Sequence, residues 1–592
     1  MLITRREAGL LMGAAAVPAR ANASWTPDHD RAVMQNALRG MDSRYDAAEH
    51  MISHHAGNDY SYHSAFRNTT VHPTRESLEY ALYLLEAGRG ERAAQVIERV
   101  IAEQDTDTKS RFYGIWGWYM EEPANKMNPA DFNWADFNGS LLLLIELRHG
   151  SKLSLTLRKK VLQSIHHAAY SIRKRNVTMA YTNIAAQGTF VTLAAGKLLD
   201  DQVLWDYAVD RQRRFSAKID ETGSFAEYNS PTYANVTIVN LTRIATYIKD
   251  ERVLKLNTKL SERIWDHLAN HWHVGTRQLA GPMSRCYSTD IGKPVWLQKA
   301  LNGALEFVSL AELQSGKVSS SGEVAVTAYN CTPAAASKFL NAAAPHQYRE
   351  TFLPGVQGTT WLDKDYCVGS VNRGDFWIQR RPLLAYWKPS HSGQLRFMKD
   401  DYEFSSALLY STQERDQILG AVNFRSPGGD KHISIDMVKN GQFEAKSLRL
   451  QLDITDPNAK ITVSGLRGVI ESAGIRMELE VRGGAFGSQQ PSMRAARNAL
   501  VIDLVRTDTP QLIRWSEVAS AFLVFTFFVG KPAIFRYESK MADGQVSAKW
   551  GDLELTAGTR VTTVAKQEAA FQESRAGKPV KLERISDEHL AG

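Results

Sequence analysis

The chain has 592 residues, of which 43% are hydrophobic and 23% are charged, which excludes a disordered or fibrous protein and predicts at least two domains. The formal net charge is +7, and the lysines and arginines are scattered, so we expect no nucleic-acid partner. A modest positive charge suits a polyanionic ligand, because the summed field attracts acidic chains.

The N-terminal residues have the pattern of an export signal. The pair Arg5-Arg6 precedes a short apolar stretch from Ala8 to Val17 and the small-residue site Ala21-Asn22-Ala23. This order predicts a twin-arginine signal peptide at residues 1–23 and an exported, periplasmic or secreted protein. Elsewhere the sequence lacks a run of roughly 18 apolar residues, so we expect no membrane span.

The three cysteines, Cys286, Cys331 and Cys367, have no C-x-x-C spacing and no histidine cluster at zinc-ligand spacing around them. We therefore predict neither a disulfide framework nor a metal ligand set. The sequence says nothing about a structural calcium in the second half of the chain or about the oligomeric state.

From about residue 28 to 275 the apolar residues recur at the helical period. Thr74 is predicted to cap a helix that ends near Gly88, and Ala93 to Ile101 form the next one, which makes a helical hairpin. Further helices are predicted at about 135–148, 153–174, 183–199, 202–217, 232–248 and 252–272. Serial hairpins of this kind predict an (α/α) toroid, an incomplete helical barrel, at residues 24–340.

Past about residue 345 the apolar period changes to two, which is typical of strands. The alternating apolar positions are Ile433, Ile435 and Met437, followed by Ile461 and Val463. Ala521 to Val529 is a fully apolar strand candidate. The pattern predicts an antiparallel β-sandwich region at residues 341–592, with the alanine-rich stretch Thr332 to Ala344 as the boundary. The fold class is thus α+β and multidomain.

The loop from Gly223 to Tyr233 is dense in polar and aromatic side chains, with Glu227, Tyr228 and Asn229 between its ends. It can be interpreted as a capping loop, with Asn229 or Ser230 as the N-cap and Pro231 in the first helical turn. The alternative is a functional loop at a helix entrance.

The pattern Gly-Ser-x-x-Glu-x-x-Ser-Pro-x-Tyr at 223–233 resembles the segment that carries the catalytic tyrosine in heparinase II/III-type and related alginate lyases. Those enzymes combine a helical toroid with β-sheets. The resemblance implies that Tyr233 is the catalytic tyrosine and that Asn183, in the segment Tyr181-Thr182-Asn183-Ile184, binds the substrate carboxylate. Ile184 stands where many relatives have an aromatic residue or a histidine, so the usual additional base is unassigned. Gln187, one turn further along, can face the same cleft.

Elimination from a uronate requires relief of the carboxylate charge, a base for the C5 proton and an acid for the departing O4 oxygen. The Asn183 amide can stabilise the enolate-like charge. A tyrosine can act as both base and acid if a neighbouring cation lowers its pKa, and Arg285 is the candidate cation. His271 and His273 precede the Arg285 loop. They are candidates for assisting groups, and the alternative is a structural role or a solvated helix end.

Two other segments combine aromatic rings with polar groups that suit sugar binding. The first runs from Tyr113 to Glu122 and from Asp131 to Asn138. It resembles a segment of rhamnose-glucuronate lyases, which implies action on the L-rhamnose-α-1,4-D-glucuronate linkage. A tryptophan-rich core is the alternative. The second segment, Asn372 to Arg381, combines aromatic and arginine side chains. It either forms the second wall of a cleft for an acidic sugar, or is a pair of strands whose aromatic and arginine side chains have no role in binding.

The leading hypothesis is a polysaccharide lyase that acts on an acidic polysaccharide or oligosaccharide and needs no cofactor. The predicted catalytic residues are Tyr233, Asn183, Arg285, His271 and His273. The predicted binding residues are Trp116, Trp118, Trp134, Asn138, Gln187, Glu227, Asn229, Tyr287, Arg373 and Trp377. The alternatives are an inverting glycoside hydrolase that uses two carboxyls from Glu122, Asp131, Asp136 and Glu227, or a non-catalytic carbohydrate-binding protein.

Overall fold

A computed structural model describes residues 24–58, 63–424, 438, 440–530, 536–559, 572–575 and 578–580. The predicted signal peptide and the alternation at Ile433, Ile435 and Met437 lie outside these residues.

The described residues form thirteen α-helices, and none of them combines the length and the apolarity needed to cross a membrane. The helices are α1 Pro27–Asp42, α2 Thr74–Glu86, α3 Gly90–Ile101, α4 Asn133–His149, α5 Leu155–Arg175, α6 Thr182–Leu198, α7 Gln202–Thr222, α8 Pro231–Tyr247, α9 Glu251–His271, α10 Val295–Ala300, α11 Leu310–Ser315, α12 Glu323–Val326 and α13 Pro333–Leu340. The eight helices predicted by apolar periodicity are confirmed as α2 to α9.

The helices pack in sequence as hairpins: α2 contacts α3 and α4, and α4 contacts α5 and α6. In α3, Ala93, Val96, Ile97 and Val100 are all buried, because their spacing places them on one helix face. The predicted cap is wrong in one detail. Thr74 is the first residue of α2, after Pro73, and its hydroxyl donates to the carbonyl of Gly117 at 2.8 Å.

The described strands are β1 Tyr45–Asp46, β2 Met51–Ile52, β3 His54–Ala56, β4 Thr69–Val71, β5 Trp272–His273, β6 Gln278–Leu279, β7 His346–Leu353, β8 Val356–Leu362, β9 Tyr366–Val371, β10 Arg373–Asp375, β11 Leu383–Trp387, β12 His391–Lys399, β13 Tyr402–Glu403, β14 Leu408–Glu414, β15 Gln417–Asn423, β16 Gln442–Ile454, β17 Lys460–Ser464, β18 Arg467–Ser472, β19 Ile475–Phe486, β20 Ser492–Ala496, β21 Ala499–Arg514, β22 Ala521–Val529, β23 Tyr537–Ala542, β24 Gln545–Trp550, β25 Leu553–Gly558, β26 Gln572–Arg575 and β27 Lys578–Val580. The predicted strands at Ile461 and Val463 and at 521–529 are confirmed as β17 and β22.

Three antiparallel sheets dominate the second half of the chain. The first has the order β20-β21-β16-β12-β11-β9-β8-β7 with β13 on β12, the second β10-β14-β15-β22-β19-β18-β17, and the third β23-β24-β25-β26-β27. Residues of the first two sheets share one core, and the second and third sheets share another. The predicted fold class, a helical region followed by an antiparallel β-sandwich, is therefore confirmed.

Strand β22 explains the apolar run at 521–529, which is not fully apolar as predicted but contains one polar residue, the buried Thr526. Phe525 and Phe527 lie in the core between the first two sheets, whereas Phe522 and Phe528 lie in the core between the second and third. Because successive side chains of a strand point to opposite faces, a strand with a core on each side is apolar at nearly every position.

The chain divides into two compact units. The described residues of the helical unit lie within Met1–Lys218, Asn235–Glu262 and Gly292–Cys331, and those of the β-rich unit lie within Ile219–Ala234, Arg263–Ile291 and Thr332–Gly592. The single domain boundary predicted at residue 340 stays a prediction. The polar loop that leads to Tyr233 belongs to the β-rich unit, although helices α7 and α8 enclose it in sequence.

Candidate active site

The loop between α7 and α8 presents Tyr233 in the first turn of a helix. Gly223 begins the loop with a φ of +87°, a conformation that glycine adopts without strain. The Ser230 hydroxyl accepts a hydrogen bond from the backbone N–H of Tyr233 at 3.3 Å, and Pro231 is the first residue of α8. The capping interpretation is therefore correct, with Ser230 as the cap, and the cap fixes the start of the helix that carries Tyr233.

A second loop, residues 280–287, is bonded to the first. The Asn229 amide nitrogen donates to the carbonyls of Ala280 and Pro282, the latter at 2.9 Å, and the Ser284 backbone N–H donates to the carbonyl of Tyr228 at 3.0 Å. Asn229 is completely buried. Its amide nitrogen binds the protein backbone, so the predicted contact of Asn229 with substrate is not what this geometry provides.

Tyr233, Arg285, Tyr287 and Glu227 form a cluster, called the tyrosine cluster below. Arg285 Nη2 donates to Tyr233 Oη at 3.0 Å, and the hydroxyls of Tyr233 and Tyr287 are 2.6 Å apart. The Arg285 guanidinium also lies 4.7 Å from the centre of the Tyr233 ring, and its Nη1 is 3.7 Å from Glu227 Oε1. Tyr287 is 54% exposed, so solvent reaches the cluster on its side.

The segment after β10 holds Arg285 in place. Arg285 Nε donates to Gln379 Oε1 at 2.9 Å, and its guanidinium lies 5.1 Å from the centre of a Trp377 ring. Met283 and Arg381 exchange two backbone hydrogen bonds, at 3.0 and 2.9 Å. The structure thus brings the predicted residues Trp377 and Arg285 together. Gln379 was missed, because an isolated glutamine has no signature in a sequence.

Burial raises the pKa of Tyr233 well above its usual value near 10. Arg285 acts in the opposite direction, whereas Tyr287 and Glu227 add to the rise. The expected cation is in place, but burial outweighs it, so the net direction differs from the predicted lowering. Tyr233 is therefore a protonated phenol at neutral pH.

Both candidate histidines are buried, with both ring nitrogens engaged inside the protein. His271 Nε2 is 2.6 Å from the hydroxyl of Tyr228, and His271 Nδ1 is 2.8 Å from the carbonyl of His267. His273 Nδ1 is 2.8 Å from Thr276 Oγ1, and Nε2 donates to the carbonyl of Asp363 at 2.7 Å. Proton transfer by either histidine would require these bonds to break, so their predicted role gains no support from this arrangement.

The predicted amides of the helical unit lie on α4 and α6. Asn183 is the second residue of α6 and is buried, and Gln187 follows one turn later, also buried. Within the part of the chain that the structure describes, Gln187 Oε1 and both amide atoms of the fully buried Asn138 lack a hydrogen-bond partner. Such groups are uncommon, since an unsatisfied buried polar atom is costly.

The three predicted tryptophans of this unit have different surroundings. Trp118 and Trp134 are partly exposed and stacked, with ring centres 5.1 Å apart, so they offer aromatic surface to a ligand. Trp116 is fully buried, and its indole N–H donates to the carbonyl of Val100 at 2.9 Å. For Trp116 the alternative of a core residue is the correct one, because a sugar ring cannot reach it without opening the core.

The remaining predicted binding residue, Arg373, and three of the candidate carboxyls are either buried or hydrogen-bonded to other protein groups. Arg373 is buried in β10. Glu122 accepts from the backbone N–H of Ala65 at 3.1 Å, and Asp131 accepts from Trp118 Nε1 at 3.1 Å. Asp136 is buried, and burial raises its pKa to about 7. These carboxyls do not form a solvent-facing pair of the kind that an inverting hydrolase requires.

A family model described as a domain of unknown function, DUF8769, matches residues 31–306. No curated protein sequence matches the chain. Among solved structures, a chondroitin AC lyase of Streptomyces coelicolor A3 in complex with chondroitin sulphate is 10% identical, with 92% of this chain and 86% of that chain covered and a TM-score of 0.44.

Two further solved structures are similar at the same level. The heparan sulfate lyase HepC of Pedobacter heparinus is 9% identical, with 94% and 95% of the two chains covered and a TM-score of 0.34. A chondroitinase AC lyase is 10% identical, with 96% and 99% covered and a TM-score of 0.38.

Proposed function

We propose that this protein is a polysaccharide lyase that cleaves a uronate-containing acidic polysaccharide by β-elimination, without a cofactor. The observation that carries the proposal is the hydroxyl of Tyr233, which lies 3.0 Å from a guanidinium nitrogen of Arg285 and 2.6 Å from the hydroxyl of Tyr287. The Arg285 guanidinium donates to this oxygen, and either tyrosine hydroxyl can be the donor of the 2.6 Å contact. Once Tyr233 has given up its proton, only the Tyr287 hydroxyl can donate across that contact, so both groups then stabilise the phenolate.

In the proposed step, the C5–H bond and the C4–O4 bond of the uronate break and a C4=C5 double bond forms. Tyr233 donates its proton to O4, which is consistent with the raised pKa that keeps the phenol protonated at rest. Arg285 and Tyr287 then stabilise the phenolate. Glu227 is the carboxylate of the cluster and is the base to test for the C5 proton. Asn183 is proposed, from the resemblance, to neutralise the uronate carboxylate.

The substrate that we propose to test first is a polysaccharide with L-rhamnose-α-1,4-D-glucuronate linkages. The similarity of residues 113–138 to rhamnose-glucuronate lyases supports this choice, and the stacked pair Trp118 and Trp134 supplies aromatic surface for a sugar ring. Export through the twin-arginine signal at residues 1–23 is part of the proposal, since such polysaccharides lie outside the cytoplasm.

The experiment measures ultraviolet absorbance of an unsaturated uronate during incubation with a panel of acidic polysaccharides that includes this linkage. The parent protein is compared with Tyr233→Phe and with Tyr402→Phe. Tyr402 is a suitable control because its phenol also accepts from a cation of the β-rich unit, Lys399. We expect Tyr233→Phe to lose roughly 10²- to 10⁴-fold in rate, and Tyr402→Phe to retain the parent rate.

Other outcomes distinguish the alternatives. Reducing ends released without the ultraviolet product would replace the lyase with a hydrolase. Binding of a polysaccharide with no turnover in either assay would favour a non-catalytic carbohydrate-binding protein. Equal losses of rate in Tyr233→Phe and Tyr402→Phe would show that Tyr233 has no specific role in the reaction.

A further inference from the structure

A second group of titratable side chains lies in the β-rich unit, apart from the tyrosine cluster. His267 and His271 are one helical turn apart on α9, and Glu350 lies on β7. One ligand atom from each of these buried residues lies within 4.8 Å of the others. Two histidines and a glutamate are a common zinc ligand set, so this group must be tested as a metal site.

The hydrogen bonds of His267 oppose metal binding. Its Nε2 accepts from the backbone N–H of Asn229 at 3.0 Å, so the ring proton is on Nδ1, which lies 2.7 Å from Glu350 Oε2. A metal at Nδ1 would move the proton to Nε2, where it would face the N–H of Asn229. Two donors would then oppose each other in a buried place, which is unfavourable.

His271 fits the same neutral state. Its Nδ1 donates to the carbonyl of His267, and its Nε2 accepts from the hydroxyl of Tyr228. Both histidines are thus neutral and carry the proton on Nδ1, and protein groups occupy all four ring nitrogens. Burial lowers the pKa of His271 to about 3, which agrees with a ring that stays neutral.

These bonds extend to the loops of the candidate site. Asn229 has a φ of +49°, a left-handed conformation that asparagine tolerates better than most residues. Its backbone N–H is held by His267, and its side chain binds the carbonyls of Ala280 and Pro282. Asn229 is four residues before Tyr233, and Pro282 is three residues before Arg285.

We propose that Glu350 and His267 are positioning residues, which orient the Asn229 peptide so that the Asn229 side chain sets the distance between the loops carrying Tyr233 and Arg285. The expected effect on kcat rests on the proposed lyase function, whereas the hydrogen-bond arrangement itself does not. Small displacements matter for proton transfer, since an error of about 1 Å in a catalytic group can cost roughly 100-fold in rate.

The structural part is tested by nuclear magnetic resonance of the full chain labelled with ¹⁵N-histidine, with signals assigned through His267→Gln and His271→Gln. We expect both rings to be neutral with the proton on Nδ1, unchanged when zinc is added. A proton on Nε2 of His267, or zinc bound to the chain at one equivalent and lost in either variant, would overturn the proposal. This test needs no substrate, so its failure is separate from a failure of the lyase function.

The kinetic part compares Glu350→Leu with Glu350→Gln. The glutamine side-chain oxygen can still accept from His267, whereas leucine cannot. We expect Glu350→Leu to lower kcat roughly 100-fold with little change in KM, and Glu350→Gln to restore most of kcat. Glu478→Leu is the control for a general loss of stability, because Glu478 is a buried glutamate of β19 paired with Arg467. Glu478→Leu should have a lower melting temperature than the parent protein but the same kcat when the assay is run well below that temperature.

An equal kcat in Glu350→Leu and the parent would overturn the positioning role. So would an equal loss in Glu350→Gln and Glu350→Leu, because the acceptor at that position would then be irrelevant. If the parent itself forms no unsaturated product on any substrate, the lyase function fails, and the resonance experiment still decides the hydrogen-bond arrangement.

Discussion

The two units each contain a fully buried asparagine, and the two amides are bonded differently. In the β-rich unit, the Asn229 amide nitrogen donates to two backbone carbonyls. In the helical unit, both amide atoms of Asn138 lack a partner among the described residues. The nitrogen of the first asparagine is explained by the architecture of its loops, whereas its Oδ1 also lacks a partner among the described residues. The second has neither amide atom bonded among the described residues, a state that Asn423 of the β-rich unit shares, so the contrast is between these two side chains and not a property of the two units.

The same contrast extends to the candidate sites. The tyrosine cluster of the β-rich unit is a set of mutually bonded groups whose geometry exists before any ligand arrives. The helical unit instead offers a stacked tryptophan pair and buried amides. Within the proposed lyase function, we assign the proton transfers to the β-rich unit, and sugar recognition together with the carboxylate-neutralising Asn183 to the helical unit. Four predictions can break or sharpen this division.

The largest effect is expected at Arg285. Arg285→Gln removes a donor to the Tyr233 oxygen, and we expect kcat to fall roughly 10²- to 10³-fold, as for loss of a donor to a developing anion. Arg285→Lys should restore part of the rate, because a lysine carries the charge without the planar fork. Arg380→Gln is the matched control, since Arg380 also lies beside Trp377 but pairs with Asp375. Equal losses at both arginines would contradict a specific role for Arg285.

The asparagines are compared by their free energies of unfolding. Asn229→Leu leaves two buried carbonyls without donors and should lower the unfolding free energy by about 3 kcal/mol. Asn138→Leu should change it by less than about 1 kcal/mol, or raise it, because no described hydrogen bond is lost. Chemical denaturation measures both. Asn229→Gly removes the side-chain amide but keeps the left-handed backbone, which glycine adopts freely, so it measures the loss of the amide without added backbone strain. If Asn138→Leu lowered the unfolding free energy as much as Asn229→Leu does, the two buried amides would not differ in their contribution to stability.

Acid should destabilise the β-rich unit through His271. Its folded pKa is about 3, below the ordinary 6.5, so the unfolded chain binds a proton that the folded one excludes. This contribution to stability is present above pH 6.5 and is lost as the pH falls towards 3, with about 2 kcal/mol lost by pH 5. Unfolding free energies measured from pH 7 to 5 should therefore decline less steeply in His271→Gln. Parallel declines in variant and parent would show that other groups govern acid sensitivity.

The smallest effect is expected in the helical unit. Trp118→Ala removes one member of the stacked pair and should raise KM by up to about tenfold with kcat nearly unchanged, since one aromatic contact contributes about 1 kcal/mol. Trp296→Ala is the matched control, because Trp296 is also partly buried beside an aromatic ring, that of Tyr329. A fall in kcat without a change in KM would show that Trp118 acts in the chemical step and not in substrate binding.

The main elements of the fold were readable from local patterns. The helical period predicted α2 to α9 with ends within a few residues, and the apolar run at 521–529 predicted β22. These predictions succeed because periodic burial must be encoded in neighbouring residues. The sequence could not reveal that β22 separates two cores, since that depends on which sheets pack on its faces.

The sequence by itself determined the fold class and singled out Tyr233 and Arg285 as candidates, because helix and strand periods and a short loop motif are local properties. Only the tertiary structure decided that Arg285 reaches the Tyr233 hydroxyl, that Gln379 holds Arg285, and that Asn229 joins two loops. It also decided the direction of the Tyr233 pKa, because burial is a sum over residues distant in the chain. Contacts and desolvation are non-local, and no spacing in a sequence encodes them.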